Sequence, residues 1–291
     1  MTRERARPLP GVTSREAQPA TDGVPVTAPV DIEAAVRPTF LQRVGPRLAL
    51  LSPIAILILW QLLSSASIIN PTFFPPPTEI VSALGDPRVQ QRLPGDILAS
   101  VSRILIGFAI GSGLGLATGL ILGMLRLPRL LLTPVFAALY PVPKIAILPL
   151  LMLIFGLGDP SKWAAIAIGA FFLVFYNTLT GVLQIPGIYL DVARNARASR
   201  LQVFRTVALP AALPNVFNGL RLATGTSFVV LAAAEFVGSR TGLGTFIWIS
   251  WNTFAVNRMY LGIIILSLLG YLAITVVGVL ESRLIPWAPR R

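Results

Sequence analysis

The sequence predicts an all-α integral membrane protein that crosses the bilayer six times. Of its 291 residues, 54% are hydrophobic and only 12% are charged, whereas a soluble domain is roughly 25% charged. Several apolar runs are long enough, at about 1.5 Å per residue, to cross a hydrocarbon core of about 30 Å. Lipid tolerates only helices and closed barrels, and barrel strands are alternating segments of about ten residues. Runs this long and continuous are therefore predicted to be helices.

The predicted spans follow a polar N-terminal segment. Residues 1–45 are rich in Pro, Ala, Arg and Thr without a hydrophobic period, which predicts a disordered cytoplasmic tail. No apolar run follows the first arginines, so no secretory signal is expected and the run from Leu48 is predicted to stay in the membrane. The membrane domain is expected over 46–285, and 286–291 form a short cytoplasmic tail. The spans are 48–69, 98–124, 131–156, 162–184, 213–236 and 259–280.

The positive charges predict the orientation of the chain. The formal net charge is +12, and nucleic-acid binding is one interpretation of such a value. With the N-terminus inside, however, most basic residues fall in inside segments, as is typical of cytoplasmic loops. We therefore expect both termini in the cytoplasm and no nucleic-acid partner. The basic residues assigned to outside segments are Arg88, Arg92, Lys162, Arg240 and Arg258.

One face of the second span carries a glycine at every fourth position. Such a smooth strip lets another helix approach closely, so tight helix packing is the favoured interpretation. A surface that slides during a conformational change is the alternative. The strip consists of Gly107, Gly111, Gly115, Gly119 and Gly123.

A charged segment with a helical pattern, DVARNARASRLQVFRTVALPAALP, separates the fourth and fifth spans. Asp191 suits the N-terminal part of a first helix, and Ser199 with Gln202 forms a capping-box pattern for a second. The second helix is expected to end at Leu209-Pro210, because proline cannot continue a helix interior. This pattern predicts a helix–turn–helix elbow on the cytoplasmic face. A basic interfacial loop and a docking surface for a cytoplasmic partner are both compatible with it.

The elbow resembles the E-A-A-x3-G-x9-I-x-L-P motif in permease subunits of binding-protein-dependent ABC importers. Three further stretches are similar to the nitrate/sulfonate/taurine branch of that family: FFPPPTEI, PKIAILPLLMLIFGLGDPSK and LPAALPNVFNGLRLATGTSFVVLAAAEFVGSRTGLG. The resemblance covers about 48–285. At the motif positions this chain has Asp191, Val192, Ala193, Arg197, Val207, Leu209 and Pro210.

The resemblance implies a type I importer fold and a homodimer of six-helix subunits in the cell membrane. It also implies that the elbow, about 188–212, inserts into a groove of a separate cytoplasmic ATPase subunit. A solute-binding protein would deliver the substrate from outside. The chain has no G-x4-G-K-[ST] phosphate loop, so no enzymatic activity of its own is expected. The expected ATPase-coupling residues are the motif positions together with Ser199.

Asp191 and Arg197 depart from the family pattern in side-chain length and in backbone preference. Asp191 replaces Glu and keeps the charge on a shorter side chain, whereas Arg197 replaces Gly. Glycine between two short helices supplies a left-handed conformation at little cost, and an arginine in the same geometry costs on the order of 1 kcal/mol. We therefore expect either a turn rebuilt around Arg197 and Ala198 or a longer first helix.

Some ionisable residues fall inside predicted spans. Lys144 lies near the middle of the third span beside two prolines that let the helix deform. A cation at that depth usually faces a cavity or a partner, so Lys144 is a candidate for lining an anion path, with snorkelling or packing as the alternative. Glu235 is a second path candidate, but we favour pairing with Arg240 or capping of the GSRTGLG turn. Arg103 is expected to snorkel to the interface.

No catalytic, metal or cofactor site is expected. The chain lacks histidine and cysteine, which removes the commonest general base and metal ligand and the thiolate nucleophile. The leading function is the permease subunit of an ATP-driven importer for a small anion of the nitrate, sulfonate or taurine type. A permease for a non-anionic metabolite, such as a pyrimidine-like vitamin precursor, is the alternative. A stand-alone secondary transporter would need an internal repeat, which the spans do not show, and a membrane enzyme would need clustered acid/base or metal ligands.

Overall fold

The computed structural model describes the backbone of residues 40–287 and the side chains of residues 51–287. Over this range the chain forms helices and no strand. The chain divides into two units, Met1–Ile56 and Leu57–Arg291. Most of the predicted N-terminal tail, and the end of the predicted C-terminal tail, lie outside the described residues.

The helices are numbered in chain order. The first unit contains the beginning of α1, and the second unit contains the rest of the described helices. They are α1 (Phe40–Ser65), α2 (Pro77–Ser82), α3 (Pro87–Met124), α4 (Arg126–Leu139), α5 (Leu148–Phe155), α6 (Asp159–Leu183), α7 (Gly187–Asn195), α8 (Arg200–Val203), α9 (Leu209–Gly238), α10 (Leu243–Asn252) and α11 (Val256–Leu284). A π-helical turn, Phe204–Ala208, joins α8 to α9.

Among the described residues, four helices are long and apolar enough to cross a membrane. They are α3, α6, the continuous helix Arg200–Gly238 and α11. These helices correspond to the second, fourth, fifth and sixth predicted spans. The first predicted span corresponds to a shorter apolar stretch, Leu51–Ser65, within α1.

The third predicted span, 131–156, is not one continuous helix. It forms α4 and α5, which are separated by turns at 140–147. Pro141 and Pro143 lie in this break, and each lacks the amide hydrogen that a helix interior needs. The expectation that one helix fills the third span, with only a local deformation at the prolines, is therefore wrong. The two prolines lie where the helix ends and turns replace it.

Helix α6 lies at the centre of the second unit, where it packs against α3 on one side and α9 on the other. The glycine strip of α3 faces α6: a Cβ on Gly107 would lie 2.8 Å from Ile166 Cβ, and a Cβ on Gly119 would lie 2.6 Å from Thr178 Cβ. A Cβ on Gly219 of α9 would likewise collide with α6. Since lipid removes most of the hydrophobic drive between helices, this close packing is what holds the three helices together.

Buried apolar side chains fill the junction between these three helices and α5. The largest cluster contains residues of all four helices, and its members are Ile104, Leu148, Leu151, Ala165, Ile166, Val230, Leu231 and Ala234. Close-packed side chains of this kind gain dispersion contacts that lipid chains supply less well. The cluster therefore fixes α5 against α6 even though the α4–α5 segment is interrupted.

Helix α11 differs from α6 in its surroundings. In the most apolar window of α6, 56% of the residues are buried, whereas no residue of the corresponding α11 window is buried. The mean hydropathy of that α11 window is 2.7. An apolar helix with so much exposed surface requires lipid or another subunit around it.

Candidate functional site

The elbow between α6 and α9 consists of α7, a turn and α8. Its first helix is amphipathic: Ala193 is 8% exposed, whereas Ile188 and Val192 are 67% and 62% exposed. In the second helix, Leu201 is 56% exposed. Apolar side chains exposed on an otherwise charged elbow form a surface that a partner protein can cover.

The predicted coupling residues occupy three environments. Asp191 is exposed beside Val192, and its carboxylate lies 3.1 Å from the guanidinium of Arg194. Such an exposed pair contributes little to stability, so the carboxylate remains available to a partner. Arg197 and Ser199 are also exposed, Ala193 is buried, and Val207, Leu209 and Pro210 are half-buried.

The turn between the elbow helices keeps the left-handed geometry of a glycine turn. Arg197 has a φ of 52°. Its N–H donates to Arg194 O at 2.9 Å, and the N–H of Ala198 donates to Ala193 O at 3.0 Å, which is the bond pair of a Schellman motif. Both expectations for this turn are therefore wrong. The turn is not rebuilt around Arg197 and Ala198, and α7 is not extended, since it ends at Asn195. Arg197 adopts the glycine conformation at a cost of about 1–2 kcal/mol, and its exposed side chain meets no obstacle.

The second elbow helix begins as predicted. Ser199 N–H donates to Gln202 Oε1 at 2.7 Å, and Gln202 N–H donates to Ser199 Oγ at 3.3 Å. This reciprocal pair is a capping box, which satisfies two of the amide hydrogens left free at a helix start. The predicted cap is confirmed.

The end of the second elbow helix differs from the prediction. The helix continues without interruption from Arg200 to Gly238, so the expected end at Leu209-Pro210 is wrong. Leu209 N–H donates to Phe204 O across a π-helical turn. The chain therefore changes from α- to π-helical hydrogen bonding just before Pro210, and it stays helical through this proline, which lacks an amide hydrogen.

Lys144 lies in the break between α4 and α5. Its Nζ donates to Tyr140 O and lies 4.9 Å and 5.0 Å from the ring centroids of Tyr140 and Phe172. Among the described side chains, no carboxylate forms an ion pair with Lys144. The ring faces stabilise the ammonium and leave its charge unneutralised. A partly exposed cation of this kind can attract an anion.

Glu235 and Arg103 form a buried ion pair near the end of α9. Arg103 Nη1 lies 2.7 Å from Glu235 Oε1, and the two side chains are 6% and 0% exposed. The expected pairing of Glu235 with Arg240 is therefore wrong. Arg103 does not snorkel either, because Asp159 Oδ1 and Thr241 O accept further hydrogen bonds from it at 2.8 Å and 2.6 Å. With all three of its nitrogens hydrogen-bonded inside the protein, the guanidinium gains little from reaching water.

The turn 239–244, which follows α9 and includes the first two residues of α10, is fastened to side chains of α3 and α9. Three consecutive backbone N–H groups donate to these side chains: Gly242 to Asp96, Leu243 to Ser100 and Gly244 to Glu235, at 2.7, 2.8 and 2.7 Å. The expectation that Glu235 caps this turn is confirmed. We call the side chains Asp96, Ser100, Arg103, Asp159 and Glu235 the polar clamp.

The sequence contained a signal for the clamp that the prediction missed. Asp96, Ser100 and Arg103 recur at i, i+4 and i+7 on α3, which places them on one helix face. A polar stripe on an apolar helix requires partners inside the protein. The sequence did not indicate which partners these are; in the structure, a Cβ on Gly244 would lie 2.8 Å from Glu235 Cβ, so glycine permits this close approach.

Lys162 is buried, although its charge was assigned to an outside segment. It is 1% exposed and donates to Leu157 O, to Gly158 O at 3.0 Å and to Gly238 O at 2.9 Å. Gly238 ends α9, where carbonyl groups lack partners within the helix and the helix dipole favours a cation. Lys162 therefore caps α9 and is not a free surface charge.

The long apolar helices, with an interrupted segment among them, are typical of a multi-pass membrane protein. The family described as "Binding-protein-dependent transport system inner membrane component" matches residues 111–286. The chain belongs to this family and is a permease component of an ABC importer, a multi-pass membrane protein. Its relatives are transport subunits.

Several curated proteins are similar along most of their length. SsuC of Bacillus subtilis (strain 168), named for aliphatic sulfonates transport, is 35% identical over 84% of this chain and 89% of its own. The nitrate import permease protein NrtB of Leptolyngbya laminosa is 36% identical over 67% of this chain and 70% of its own. The taurine transport system permease protein TauC of Escherichia coli (strain K12) is 30% identical over 80% and 86%. The chain is therefore a member of the nitrate/sulfonate/taurine branch.

A solved structure of the MetNI methionine ABC transporter in inward-facing conformations has the same fold. Its matching chain gives a TM-score of 0.57 at 21% sequence identity, and the match covers 68% of this chain and 96% of that one. This similarity confirms the predicted importer permease fold.

Proposed function

We propose that this permease component carries a small anion of the nitrate, sulfonate or taurine type into the cell, driven by a separate cytoplasmic ATPase subunit. An extracytoplasmic solute-binding protein delivers the anion. The elbow carries the proposal, because Ile188, Val192 and Leu201 are all more than half exposed and a partner that covers them gains apolar contact.

The elbow suits docking better than it suits membrane anchoring. Its helices are too short to span lipid, and an acidic residue, Asp191, stands within the exposed apolar surface. The arginines of the elbow would suit an anionic lipid surface, but such a surface would repel the carboxylate of Asp191, whereas a protein partner can supply a donor to it. Asp191 and Val192 therefore offer a partner one charged and one apolar contact on the same helix.

The distribution of arginines supports an elbow on the cytoplasmic side. Arg194, Arg200 and Arg205 lie in the elbow, and basic residues of short loops favour the cytoplasmic side. The four long helices and the connections between them are compatible with both termini on that same side. The turn 239–244, at the other end of α9, then lies outside.

Lys144 is the side chain that we assign to the anion path. The relatives are named for sulfonates, nitrate and taurine, and nitrate and sulfonate groups are anionic. Lys144 supplies a cation at the break of a membrane segment, with no carboxylate paired to it among the described residues. Glu235 is less suited to such a path, since its carboxylate is unexposed and fully engaged.

A second permease subunit, most simply another copy of this chain, completes the proposed path. The α4–α5 segment exposes large apolar side chains, for example Leu131 at 65% and Leu153 at 83%, and Ile145 beside Lys144 is 47% exposed. A single chain has no second wall on this side among its described residues. A second copy that faces this segment would enclose Lys144 between two subunits.

Reconstitution tests the proposal. The chain is co-expressed with candidate ATPase and binding-protein subunits and placed in proteoliposomes, and ATP-dependent uptake of nitrate, taurine and ethanesulfonate is measured.

Val192→Asp buries a charge at the docked surface and is expected to abolish ATPase co-purification. Gln184→Glu adds the same charge at an exposed position outside the elbow and serves as the matched control. Lys144→Glu is expected to lower uptake at least tenfold with the ATPase still bound, and Lys144→Arg should retain it. Uptake that persists without ATP, or equal uptake by Lys144→Glu, contradicts the proposal.

A further inference from the structure

One continuous helix connects the elbow with the polar clamp. Helix Arg200–Gly238 contains 39 residues and is therefore about 60 Å long. Its first turns form the second half of the elbow, and Glu235 lies in its last turn. A displacement of the elbow can reach the other side of the membrane along this helix, provided that something beyond Gly238 is attached firmly to it.

The turn 239–244 is attached in that way. Besides the three backbone bonds to α3 and α9, Arg103 Nη1 donates to Thr241 O at 2.6 Å. Gly242 has a φ of 120°, which only glycine adopts easily, and its missing side chain leaves room for the Glu235 carboxylate. The backbone of the turn is therefore fixed relative to the Glu235 carboxylate.

Helix α10 begins directly at this turn, so the clamp also sets its direction. The buried face of α10 includes Phe246 and Ile247, whereas Trp248 and Trp251 are 43% and 54% exposed. Phe254, just beyond the helix, is 81% exposed at a φ of 52°. Phe254 N–H donates to Trp251 O at 3.0 Å and Ala255 N–H donates to Ser250 O at 2.9 Å, so this φ belongs to a Schellman turn that ends α10 and leaves the aromatic side chains exposed at its edge.

We propose that Glu235 and Arg103 are positioning residues for transport, which lock the turn 239–244 and α10 to α9 so that elbow movement is delivered to the opposite side of the membrane. This inference rests on the proposed function, because it requires that an ATPase moves the elbow. Charged partners suit this role because they fix direction as well as distance. An apolar contact at the same place would allow the turn to slide.

The clamp also joins α3 and α6 to α9. Arg103 extends from α3 and binds carboxylates of both other helices, Asp159 of α6 at 2.8 Å and Glu235 of α9 at 2.7 Å. Together with the glycine contacts, it makes α3, α6 and α9 one rigid body. The α4–α5 segment, broken at 140–147, has no such link to the clamp among the described residues.

The experiment uses spin labels in the reconstituted transporter, and the absence of native cysteine leaves no background labelling. Arg205→Cys reports the distance between the elbows of the two subunits, and Asn252→Cys reports the distance between their α10 helices. In the otherwise unchanged chain, ATP is expected to change both distances. With Glu235→Gln added, we expect the elbow distance to change as before and the α10 change to fall by at least half. Anion uptake per ATP hydrolysed should fall at least fivefold.

The control and the decisive outcomes are separate for the two proposals. Glu281→Gln breaks the partly exposed pair with Arg221, which joins α9 to α11 outside the clamp. In this control, ATP should change both distances as much as in the otherwise unchanged chain. If the elbow distance does not respond to ATP in the otherwise unchanged chain, the proposed function fails. If α10 moves equally with and without Glu235→Gln, the clamp inference is overturned. Should Glu235→Gln not assemble, Ser100→Ala, which removes one hydroxyl of the clamp, decides by the same criterion.

Discussion

The two ends of helix Arg200–Gly238 are built from different interactions. At the elbow end, geometry comes from backbone hydrogen bonds, a capping box and a Schellman turn, and the side chains are mostly exposed. At the clamp end, geometry comes mainly from the ion pair of Arg103 and Glu235, which is almost completely buried, while Asp159 is partly exposed. At the end that is proposed to bind a partner, the side chains stay exposed to that partner. At the end that fixes the following turn, the side chains form hydrogen bonds and ion pairs within the protein.

This difference predicts where each end is sensitive to mutation. A buried charge that loses its partner suffers an uncompensated desolvation penalty, so stability should depend strongly on the clamp. Exposed elbow side chains have little effect on stability, so their changes should be visible mainly in binding. The four predictions below test this contrast, from the largest expected effect to the smallest.

The largest effect is expected from Glu235→Ala. It leaves Arg103 with one carboxylate fewer and removes the acceptor of Gly244 N–H, so we expect a loss of about 3–5 kcal/mol in the free energy of unfolding. Denaturant titration of the detergent-solubilised protein measures it. Glu281→Ala, at a partly exposed ion pair, should cost less than about 1 kcal/mol. Equal losses at both positions would remove the distinction between the ends.

Between the two ends, Gly219→Ala tests the helix contact itself. A Cβ there would lie 2.8 Å from Asn177 Cβ, and overpacking of this kind costs about 1–3 kcal/mol. Gly225→Ala is the matched control on the same helix, because its Cβ would meet no atom closer than 3.9 Å. The control should be neutral or stabilising by up to about 1 kcal/mol. The same titration compares the two variants, and a stable Gly219→Ala would contradict the close approach of α9 to α6.

At the elbow, Arg197→Gly is expected to be stabilising. It relieves the left-handed conformation of Arg197 and should increase local stability by about 1 kcal/mol, after allowance for the greater flexibility of glycine in the unfolded chain. Hydrogen exchange of the amides in Gly187–Asn195 and Arg200–Val203 measures the change. Ala196→Gly, at a neighbouring position with a φ of −75°, should be destabilising instead. Slower exchange in both variants would show that the φ of Arg197 is not the cause.

The smallest effect on stability is expected from Asp191→Asn. The carboxylate is 66% exposed and pairs only with Arg194 among the described side chains, so its loss should change the free energy of unfolding by less than about 0.5 kcal/mol. Binding of the ATPase should nevertheless weaken at least threefold, measured by titration of the reconstituted permease with ATPase subunit. A large loss of stability without weaker binding would assign Asp191 to the fold and not to docking.

The sequence was informative wherever a pattern is local. Apolar runs predicted the long helices, and the Ser199–Gln202 spacing predicted the cap, because both depend on neighbours within a few residues. The ion pair between Arg103 and Glu235 could not be predicted in the same way, since its partners are 132 residues apart. Which carboxylate an arginine meets depends on how the helices pack.

The errors in the prediction also have local physical causes. Two prolines at 141 and 143 broke a span that hydropathy alone made continuous, whereas Pro210 did not end a helix. The chain changes to π-helical hydrogen bonding just before Pro210, over the turn Phe204–Ala208, and it stays helical through this proline. Sequence rules for proline do not include this turn. For Arg197, the preference of the left-handed region for glycine was outweighed by the two hydrogen bonds of the Schellman motif.

The buried pair in the clamp has a consequence for membrane insertion. A carboxylate near the end of an apolar helix is costly to insert alone, and helix Arg200–Gly238 has a mean hydropathy of only 1.5 in its most apolar window. Arg103 lies earlier in the chain and is already synthesised when Glu235 emerges. Helix α11, at 2.7, can enter lipid by itself. We therefore expect α3 to be inserted in the membrane before helix Arg200–Gly238, so that Arg103 can pair with Glu235, which is synthesised more than a hundred residues later.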